Sequence, residues 1–224
     1  MLADPFFWAT VAGVLVVAYL LGAIPWALII GKRFFGIDPR EHGSGNLGAT
    51  NVFRLLGVRA GAVTLLLDAA KGALAVAISR MIVSPEVFGQ TASDWVAVAA
   101  MMAAVLGHSY SPYIRFRGGK GVATSAGCLF VLTPLATLIL FVVFVIIVAA
   151  SRMVSLGSII VAIIYPPLVL WLYPGNLALA IVITVLAALV IWRHRSNIMR
   201  IAHGEEPKIS LSRRGEAIVG KEGK

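Results

Sequence analysis

Residues 122–150 read VATSAGCLFVLTPLATLILFVVFVIIVAA, an apolar run that is too long for one membrane crossing and short for two. Thr133 and Pro134 divide this run near its middle. Basic residues flank it on both sides, Arg115, Arg117 and Lys120 before it and Arg152 after it. Because cytoplasmic loops carry the excess of Lys and Arg, both flanks belong in the cytoplasm, which requires an even number of crossings. We therefore expect two short helices that meet near Pro134, one of them beginning inside the protein.

The rest of the sequence alternates between apolar runs and short polar inserts. Further apolar runs cover residues 5–31, 61–83, 95–110, 156–172 and 177–192, and Pro25 is expected to kink the first. An acidic loop is expected at 84–94. Together the runs predict an all-α, polytopic membrane helix bundle of seven transmembrane helices, with the N-terminus outside and the C-terminus cytoplasmic. This topology leaves only two of the 19 Lys and Arg residues outside the cytoplasmic segments.

Composition excludes several classes of protein. The chain is 59% hydrophobic with a mean hydropathy of +0.92, so its net charge of +9 points to the lipid bilayer and not to a nucleic-acid partner. The single cysteine, Cys128, excludes a disulfide framework and a CxxC motif. The four histidines show no HExxH spacing, and we expect no metal and no cofactor. The first apolar run is too long for a signal peptide and is expected to be retained as a span.

The first polar insert, residues 42–51, reads HGSGNLGATN and is followed by Arg54. Its glycines, which let a ligand approach the backbone, are Gly43, Gly45 and Gly48. Its polar side chains are Ser44, Asn46, Thr50 and Asn51. A helix that begins near Thr50 or Asn51 would aim its free N–H groups into the same loop, where Arg54 adds a planar set of donors. These features predict a phosphate site; the alternative is a flexible turn with an unrelated arginine.

The second insert ends in Gly118, Gly119, Lys120 and Gly121, which open directly into the helix expected from Val122. Glycines allow close approach, the helix N-terminus favours an anion and Lys120 brings a positive charge. The insert is not a Walker loop, because Gly121 follows the lysine. The alternative is an ordinary basic cytoplasmic loop.

The third insert, residues 193–206, begins as the last apolar run ends. If that helix continues, Arg193, His194, Asn197 and Arg200 share one face. A basic cluster that touches lipid headgroups would explain the arginines, but not the histidine and asparagine between them. Three such inserts on one side of a small bundle predict an enzyme or a transporter of phosphorylated substrates. A non-catalytic bundle that binds anionic lipid would not need three glycine-bearing motifs.

Two charged residues, Asp68 and Lys71, interrupt the second apolar run. Their spacing of three places them on one helix face, where they can pair. An unpaired charge at the bilayer centre costs about 2.5–3.5 kcal/mol on insertion scales. We therefore expect an ion pair inside the bundle and interpret it as structural, with a role in the site as the alternative.

Three sequence segments carry a family resemblance: SGNLGATN with Arg54, GHSYSPYIRFRGGKGVAT at 107–124, and HRSNIMRIAHGEE at 194–206. In this order and spacing they resemble the three motifs of the bacterial acyl-phosphate:glycerol-3-phosphate acyltransferases. The resemblance covers residues 5–208, so one membrane-embedded domain is expected at 1–208, followed by a basic tail at 209–224 that we expect to be mobile. Leu47 departs from the family pattern, which more often has proline there.

The resemblance implies an enzyme of the bacterial inner membrane with its site at the cytoplasmic face. It would move a fatty acyl group from acyl phosphate to the 1-hydroxyl of sn-glycerol 3-phosphate, forming lysophosphatidic acid and phosphate. By position, Ser44, Asn46 and Arg54 belong to the first motif, and His194 and Asn197 are the functional pair of the third. The second motif, from Gly118 to Gly121 with Lys120, binds glycerol phosphate. Glu205 is expected to maintain structure, and Ser155 or Ser158 to face the site.

No covalent nucleophile is needed for this reaction, because acyl phosphate carries a good leaving group. Accordingly no GxSxG elbow is present in the sequence. Arg54, Lys120 and Arg200 would hold phosphates, while backbone N–H groups stabilise the tetrahedral intermediate. His194 is a candidate base for the hydroxyl, with a phosphate oxygen of the substrate as the alternative. A transporter of an organic phosphate is the rival function, although it predicts ligand groups near mid-membrane.

Overall fold

The computed structural model describes residues 4–209, and within that range the secondary structure is entirely helical. The first five helices are α1 (Pro5–Gly22), α2 (Trp26–Phe35), α3 (Ala49–Ile82), α4 (Pro85–Phe88) and α5 (Gln90–Ser109). A short 3₁₀ turn (Pro112–Ile114) precedes the remaining helices, which are α6 (Val122–Leu132), α7 (Pro134–Ser151), α8 (Val154–Leu172), α9 (Leu177–Arg193) and α10 (Arg195–Ala202). The expected tail lies outside the described residues except for Ile209.

Proline and glycine determine two of the breaks. Pro25 separates α1 from α2, as expected of a residue that cannot donate a backbone hydrogen bond. Gly57 adopts φ 87°, a left-handed conformation that bends α3 between its first two turns and its long apolar part. The helix start is close to the prediction, because α3 begins at Ala49 after Gly48.

The long apolar run is divided as predicted. α6 ends at Leu132 and α7 begins at Pro134, so Thr133 is the one residue between them. The Thr133 hydroxyl lies 2.7 Å from the hydroxyl of Tyr165 on α8, which holds this junction inside the bundle. With 11 residues, α6 is only about 16 Å long at roughly 1.5 Å per residue and cannot cross a bilayer by itself.

Two predicted segments differ from the structure. The acidic loop at 84–94 is largely helical, because α4 and the first turns of α5 occupy it. The seventh helix does not continue through the third insert: α9 and α10 meet at His194 with a bend of 56°. The condition under which Arg193 and Asn197 would share one helix face is therefore not met.

Four helical segments of the described chain are long and apolar enough to cross a membrane, or five if α9 and α10 form one bent span. Of the predicted seven, the remaining two are α5 and α6. Eleven residues of α5 are buried. Contacts with the other helices of the bundle therefore hold α5 in place more than its own hydropathy does. The fold is thus an all-helical membrane bundle, while seven crossings and the side of each terminus stay predictions.

Small residues bring the central helices into backbone contact. A Cβ built on Gly127 of α6 would lie 1.8 Å from the carbonyl oxygen of Ala69 on α3, and one on Gly72 would lie 2.2 Å from that of Thr124. A Cβ on Gly107 of α5 would lie 2.1 Å from the carbonyl oxygen of Tyr19 on α1. Such close approach is available only to glycine, and it holds the start of α6 beside α3.

Candidate active site

The three polar inserts converge on one cavity of about 200 Å³. The predicted site residues that line it are Ser44, Asn46, Gly48, Thr50, Asn51, Arg54, Lys120, Gly121, Ser155, Ser158, His194, Asn197 and Arg200. Asp68 also lines it, together with three residues that the sequence did not single out as site residues: His108, Ser196 and Glu206. The apolar part of the lining includes Leu65 and Phe144. Polar groups from distant parts of the chain therefore share a wall with apolar side chains.

The first insert is held by Asn51, which is 1% exposed. Its Oδ1 accepts from the backbone N–H of Ser44 at 3.0 Å, and its Nδ2 donates to the carbonyl oxygen of Pro39 at 2.9 Å. Gly43 and Gly45 have positive φ, and a Cβ on Gly43 would lie 2.5 Å from Asn51 Oδ1. These two glycines shape the loop and do not line the cavity, and their contact with substrate stays a prediction.

The start of α3 faces the cavity. Gly48, Ala49 and Thr50 line it, so the N-terminal turn of a long helix is available to an anion. One turn later Arg54 donates from Nη2 to the carbonyl oxygen of Pro207 at 2.8 Å, while its Nε has no partner among residues 4–209. Arg54 thus combines a contact to the C-terminal segment with a second donor that can bind a ligand.

The second insert is docked by its backbone. Gly118 N–H donates to the carbonyl oxygen of Ser109, and Gly119 N–H donates to that of His108. Arg193, at the end of α9, donates to the carbonyl oxygens of Gly118 at 3.2 Å and Gly119 at 2.6 Å. A Cβ on Gly118 would lie 1.9 Å from the His108 carbonyl oxygen. Neither glycine lines the cavity, so the structure shows their packing role, and their contact with substrate stays a prediction.

Lys120 projects from this docked loop and donates from Nζ to Asn197 Oδ1, which joins the second insert to the third. Gly121 follows with φ 85° and caps the N-terminus of α6. Burial lowers the pKa of Lys120 to about 8; Glu206 opposes this decrease, while Arg200, Arg54 and Arg193 add to it. The loop therefore presents a positive charge that is destabilised until an anion arrives.

The third insert surrounds one carboxylate, Glu206. Its Oε1 accepts from Ser155 Oγ and from Asn197 Nδ2, each at 2.7 Å, and its Oε2 accepts from Arg200 Nε at 2.8 Å. Burial favours the neutral acid, but these three hydrogen bonds hold the pKa of Glu206 below its usual range. Ser158 is also buried at the cavity, although its hydroxyl donates to the carbonyl oxygen of Val154.

The structural role expected of Glu205 is wrong by one position. Glu205 is exposed, whereas Glu206 is 5% exposed and makes the contacts that hold the site together. Two adjacent glutamates cannot be ranked from their spacing. The turn of the chain after α10 decides which one points inward.

His194 lies at the bend between α9 and α10 and is 2% exposed. Its Nδ1 lies 2.7 Å from the carbonyl oxygen of Val190. A carbonyl can only accept, so Nδ1 carries the proton and Nε2 is the unprotonated nitrogen of the neutral ring. This is the tautomer that a general base in the cavity requires.

The predicted Asp68–Lys71 ion pair is confirmed, with Nζ 2.8 Å from Oδ1 and both side chains 2% exposed. The sequence did not indicate its third member, because His108 belongs to another helix. Lys71 Nζ lies 3.0 Å from His108 Nδ1. Within the described range 4–209 no group of three or more His, Cys, Asp or Glu side chains is arranged to hold a metal ion.

Comparison with known proteins identifies the family of this chain. The sequence profile described as "Glycerol-3-phosphate acyltransferase" matches residues 12–204. Among curated proteins, glycerol-3-phosphate acyltransferase 2 of Bacillus cereus is 44% identical over 200 residues, covering 89% of this chain and 95% of the relative. The glycerol-3-phosphate acyltransferase of Geobacillus kaustophilus is 42% identical over 196 residues, covering 88% of this chain and 94% of the relative.

Among solved structures, PlsY (YgiH), an integral membrane glycerol 3-phosphate acyltransferase, has a similar fold. Its glycerol 3-phosphate form superposes with a TM-score of 0.80 at 37% identity, covering 89% of this chain and 96% of that one. Its lysophosphatidic acid form gives a TM-score of 0.77 at 36% identity, covering 90% and 96%. This chain belongs to the glycerol-3-phosphate acyltransferase family and is an integral-membrane acyltransferase.

Proposed function

We propose that this acyltransferase moves a fatty acyl group from acyl phosphate to the 1-hydroxyl of sn-glycerol 3-phosphate, forming lysophosphatidic acid and inorganic phosphate. The observation that carries the proposal is the convergence of Arg54, Lys120 and Arg200 with the start of α3 on one cavity. Both substrates are phosphates, so a site for this reaction needs several cationic and N–H donors. The forms in which PlsY was solved, with glycerol 3-phosphate and with lysophosphatidic acid, support the acceptor and the product.

The lining residues divide into three groups by chemistry. Cationic groups for the phosphates come from Arg54, Lys120 and Arg200. Neutral donors that orient the acceptor and the acyl phosphate come from Ser44, Asn46, Gly48, Thr50, Gly121 and Ser155. We assign Asn51 and Ser158 to the walls of the cavity, because their polar atoms are engaged by the protein backbone. The apolar part of the lining, including Leu65 and Phe144, suits the acyl chain.

In the proposed reaction the 1-hydroxyl oxygen attacks the acyl carbonyl carbon, and the bond from that carbon to the phosphate oxygen breaks. The leaving phosphate takes the electron pair of the broken bond. The hydroxyl proton passes either to Nε2 of His194 or directly to a phosphate oxygen, and it ends on inorganic phosphate. Donors fixed around the cavity stabilise the negative charge that develops on the carbonyl oxygen. Positioning and electrostatics, without a covalent enzyme intermediate, supply the catalysis.

The charge pattern supports a location for the reaction. We propose seven crossings with the N-terminus outside, so that all three inserts lie at the cytoplasmic face of a bacterial inner membrane. α6 would begin inside the protein, below the membrane surface and beside the site, so that its 11 residues are enough to complete a crossing. The functional unit on this proposal is residues 1–208.

The test uses purified protein in detergent with acyl phosphate and labelled glycerol 3-phosphate. We expect labelled lysophosphatidic acid and inorganic phosphate in equal amounts, without any membrane gradient. Acyl-CoA or acyl carrier protein as the required donor would contradict the acyl phosphate assignment. Transport of glycerol 3-phosphate in vesicles without acylation would favour the rival transporter.

Variants then separate the two routes for the proton. For His194→Ala, a modest loss of rate that leaves the rise of rate with increasing pH intact would exclude an obligatory histidine base. Loss of that rise would assign the proton transfer to His194. Asn176→Ala, which changes a helix cap away from the cavity, serves as the matched control.

A further inference from the structure

A buried cluster of Asp68, Lys71 and His108 lies at the wall of the cavity, yet the proposed reaction gives none of these residues a role. They are 1%, 2% and 7% exposed, respectively. Asp68 and His108 line the cavity, whereas Lys71 lies behind them. A polar cluster placed there, among helices rich in apolar residues, needs a reason beyond packing, because each buried charge costs free energy.

The partners of Lys71 determine the state of His108. Lys71 Nζ lies 2.7 Å from the carbonyl oxygen of Ile24, 2.8 Å from Asp68 Oδ1 and 3.0 Å from His108 Nδ1. The carbonyl oxygen of Ile24 and His108 Nδ1 lie within hydrogen-bond distance of the ammonium group, and Asp68 Oδ1 forms an ion pair with it. An ammonium group has no lone pair to accept a hydrogen bond. His108 Nδ1 must therefore be the acceptor. The ring is neutral, its proton is on Nε2, and Asp68 balances the charge of Lys71.

Nε2 of this ring lies beside Gly119, the residue that precedes Lys120. A Cβ built on Gly119 would lie 2.2 Å from His108 Nε2, so the missing side chain of Gly119 makes room for the ring. The backbone N–H of Gly119 donates to the His108 carbonyl oxygen at 3.2 Å, which fixes the two residues together. Within the described residues, Nδ1 is the only atom of the His108 ring with a hydrogen-bond partner.

We propose that His108 donates a hydrogen bond from Nε2 to an anionic oxygen of the bound substrate, with Lys71 and Asp68 as positioning residues that hold this tautomer. The inference rests on the proposed function and deepens it. Two oxygens have the required chemistry: a phosphate oxygen of glycerol 3-phosphate, and the acyl carbonyl oxygen as it becomes negative in the transition state. A neutral donor suits both, because it stabilises negative charge without exchanging a proton.

The decisive variants are His108→Gln and His108→Asn. The amide nitrogen of Gln reaches about as far as Nε2, whereas that of Asn reaches only the position of Nδ1. We expect His108→Gln to retain kcat/KM within a few-fold and His108→Asn to lose at least about tenfold, which corresponds to one hydrogen bond. His203→Asn is the control, because His203, whose Nδ1 lies 2.8 Å from the carbonyl oxygen of Met199, is exposed and outside the cavity.

The kinetic split identifies the oxygen. If the partner is the phosphate, His108→Asn raises KM and the calorimetric dissociation constant for glycerol 3-phosphate while kcat is kept. If the partner is the carbonyl oxygen, kcat falls and the dissociation constant is unchanged. Nitrogen-15 NMR of the histidine rings adds a readout for Lys71 and Asp68: we expect His108 with Nε2 protonated, and the opposite tautomer or a charged ring would overturn their positioning role.

Equal losses in the Gln and Asn variants would assign His108 to ring packing and overturn the donor role. Wild-type kinetics and binding in His108→Asn would do the same. Melting temperatures of the purified variants separate these outcomes from misfolding. The proposed function is tested separately: it is wrong if the wild-type protein does not acylate glycerol 3-phosphate. In that case the binding of glycerol 3-phosphate by the same His108 variants decides the role of His108.

Discussion

At the scale of single residues, Glu206 shows how much one carboxylate can organise. Three side chains from two helices donate to its two oxygens: Ser155, Asn197 and Arg200. Asn197 also accepts from Lys120, so the position of that cation depends on Glu206 through one intermediate side chain. Hydrogen bonds to a charged group contribute more than neutral ones, typically about 1.5–3 kcal/mol each.

We therefore predict that Glu206→Gln is destabilising and Glu205→Gln is not. A neutral amide replaces the carboxylate, and its NH₂ group faces donors with which it cannot pair, so we expect a loss of about 2 kcal/mol in the free energy of unfolding. Activity should fall at least about tenfold, because Lys120 loses its support. Thermal unfolding in detergent and steady-state kinetics measure both effects; equal behaviour of the two variants would contradict the one-position correction.

A second residue-scale prediction concerns pH. Burial lowers the pKa of Lys120 to about 8, and only the protonated ammonium attracts a phosphate. As pH rises through 8, free enzyme loses this charge, so kcat/KM for glycerol 3-phosphate should fall on the alkaline side. Lys120→Arg keeps its charge and should move this decrease to higher pH, even if its maximal rate is lower. If the decrease in kcat/KM at high pH is unchanged in Lys120→Arg, another group is responsible for it.

At the scale of elements, the loop before α6 connects three helices. Its backbone is docked on the end of α5, and Arg193 at the end of α9 donates to the carbonyl oxygens of Gly118 and Gly119. The guanidinium of Arg193 also lies 5.2 Å from the ring centre of Tyr110, a cation–π distance. The loop that presents Lys120 is therefore rigid by virtue of tertiary contacts and not of its own glycine-rich sequence.

This arrangement predicts the effect of Gly119→Ala. The added Cβ would lie 2.2 Å from His108 Nε2 and 3.0 Å from the carbonyl oxygen of Leu47, so ring and loop must move apart. We expect a lower melting temperature and a decrease of at least about tenfold in kcat/KM. Gly13→Ala on α1, where no atom of the described chain lies within 4 Å of the new Cβ, is the control and should be neutral or slightly stabilising. If Gly119→Ala has normal stability and only a raised KM, the result would support the direct contact between Gly119 and substrate that the sequence predicts.

At the scale of the whole molecule, the topology of the bundle is the main prediction still to be measured. Length and apolar character identify four spans in the described chain, or five with the bent pair, whereas the charge pattern predicts seven crossings. The difference lies in α5 and α6. One is embedded in the core and the other is short, so neither needs the hydropathy of a helix that faces lipid.

Cysteine labelling in intact cells tests this topology. We predict that Glu86→Cys reacts with a membrane-impermeant maleimide, while Arg117→Cys reacts only after the cells are opened; both positions are exposed in the fold. The native Cys128 is buried and should stay unlabelled, which makes the unmodified protein the control. Labelling of both positions from outside would contradict an odd number of crossings between them and the assignment of the inserts to the cytoplasm.

The sequence by itself determined features that depend on local spacing and on solvent. Apolar runs predicted the membrane bundle, Thr133 and Pro134 marked the division of the longest run, and the spacing of Asp68 and Lys71 predicted their ion pair. The three motifs also predicted the family. These properties are local because helix periodicity, proline geometry and membrane insertion act over a few turns of chain.

Only the tertiary structure decided which neighbours each polar group has. His108 meets Lys71 across 37 positions, and Arg193 meets Gly119 across 74. The turn of the chain after α10 placed Glu206 inward instead of Glu205, and close packing gave Gly118 and Gly119 a role in docking their loop. Such contacts depend on how helices pack and where they bend, and neither is encoded in the spacing of residues along one helix.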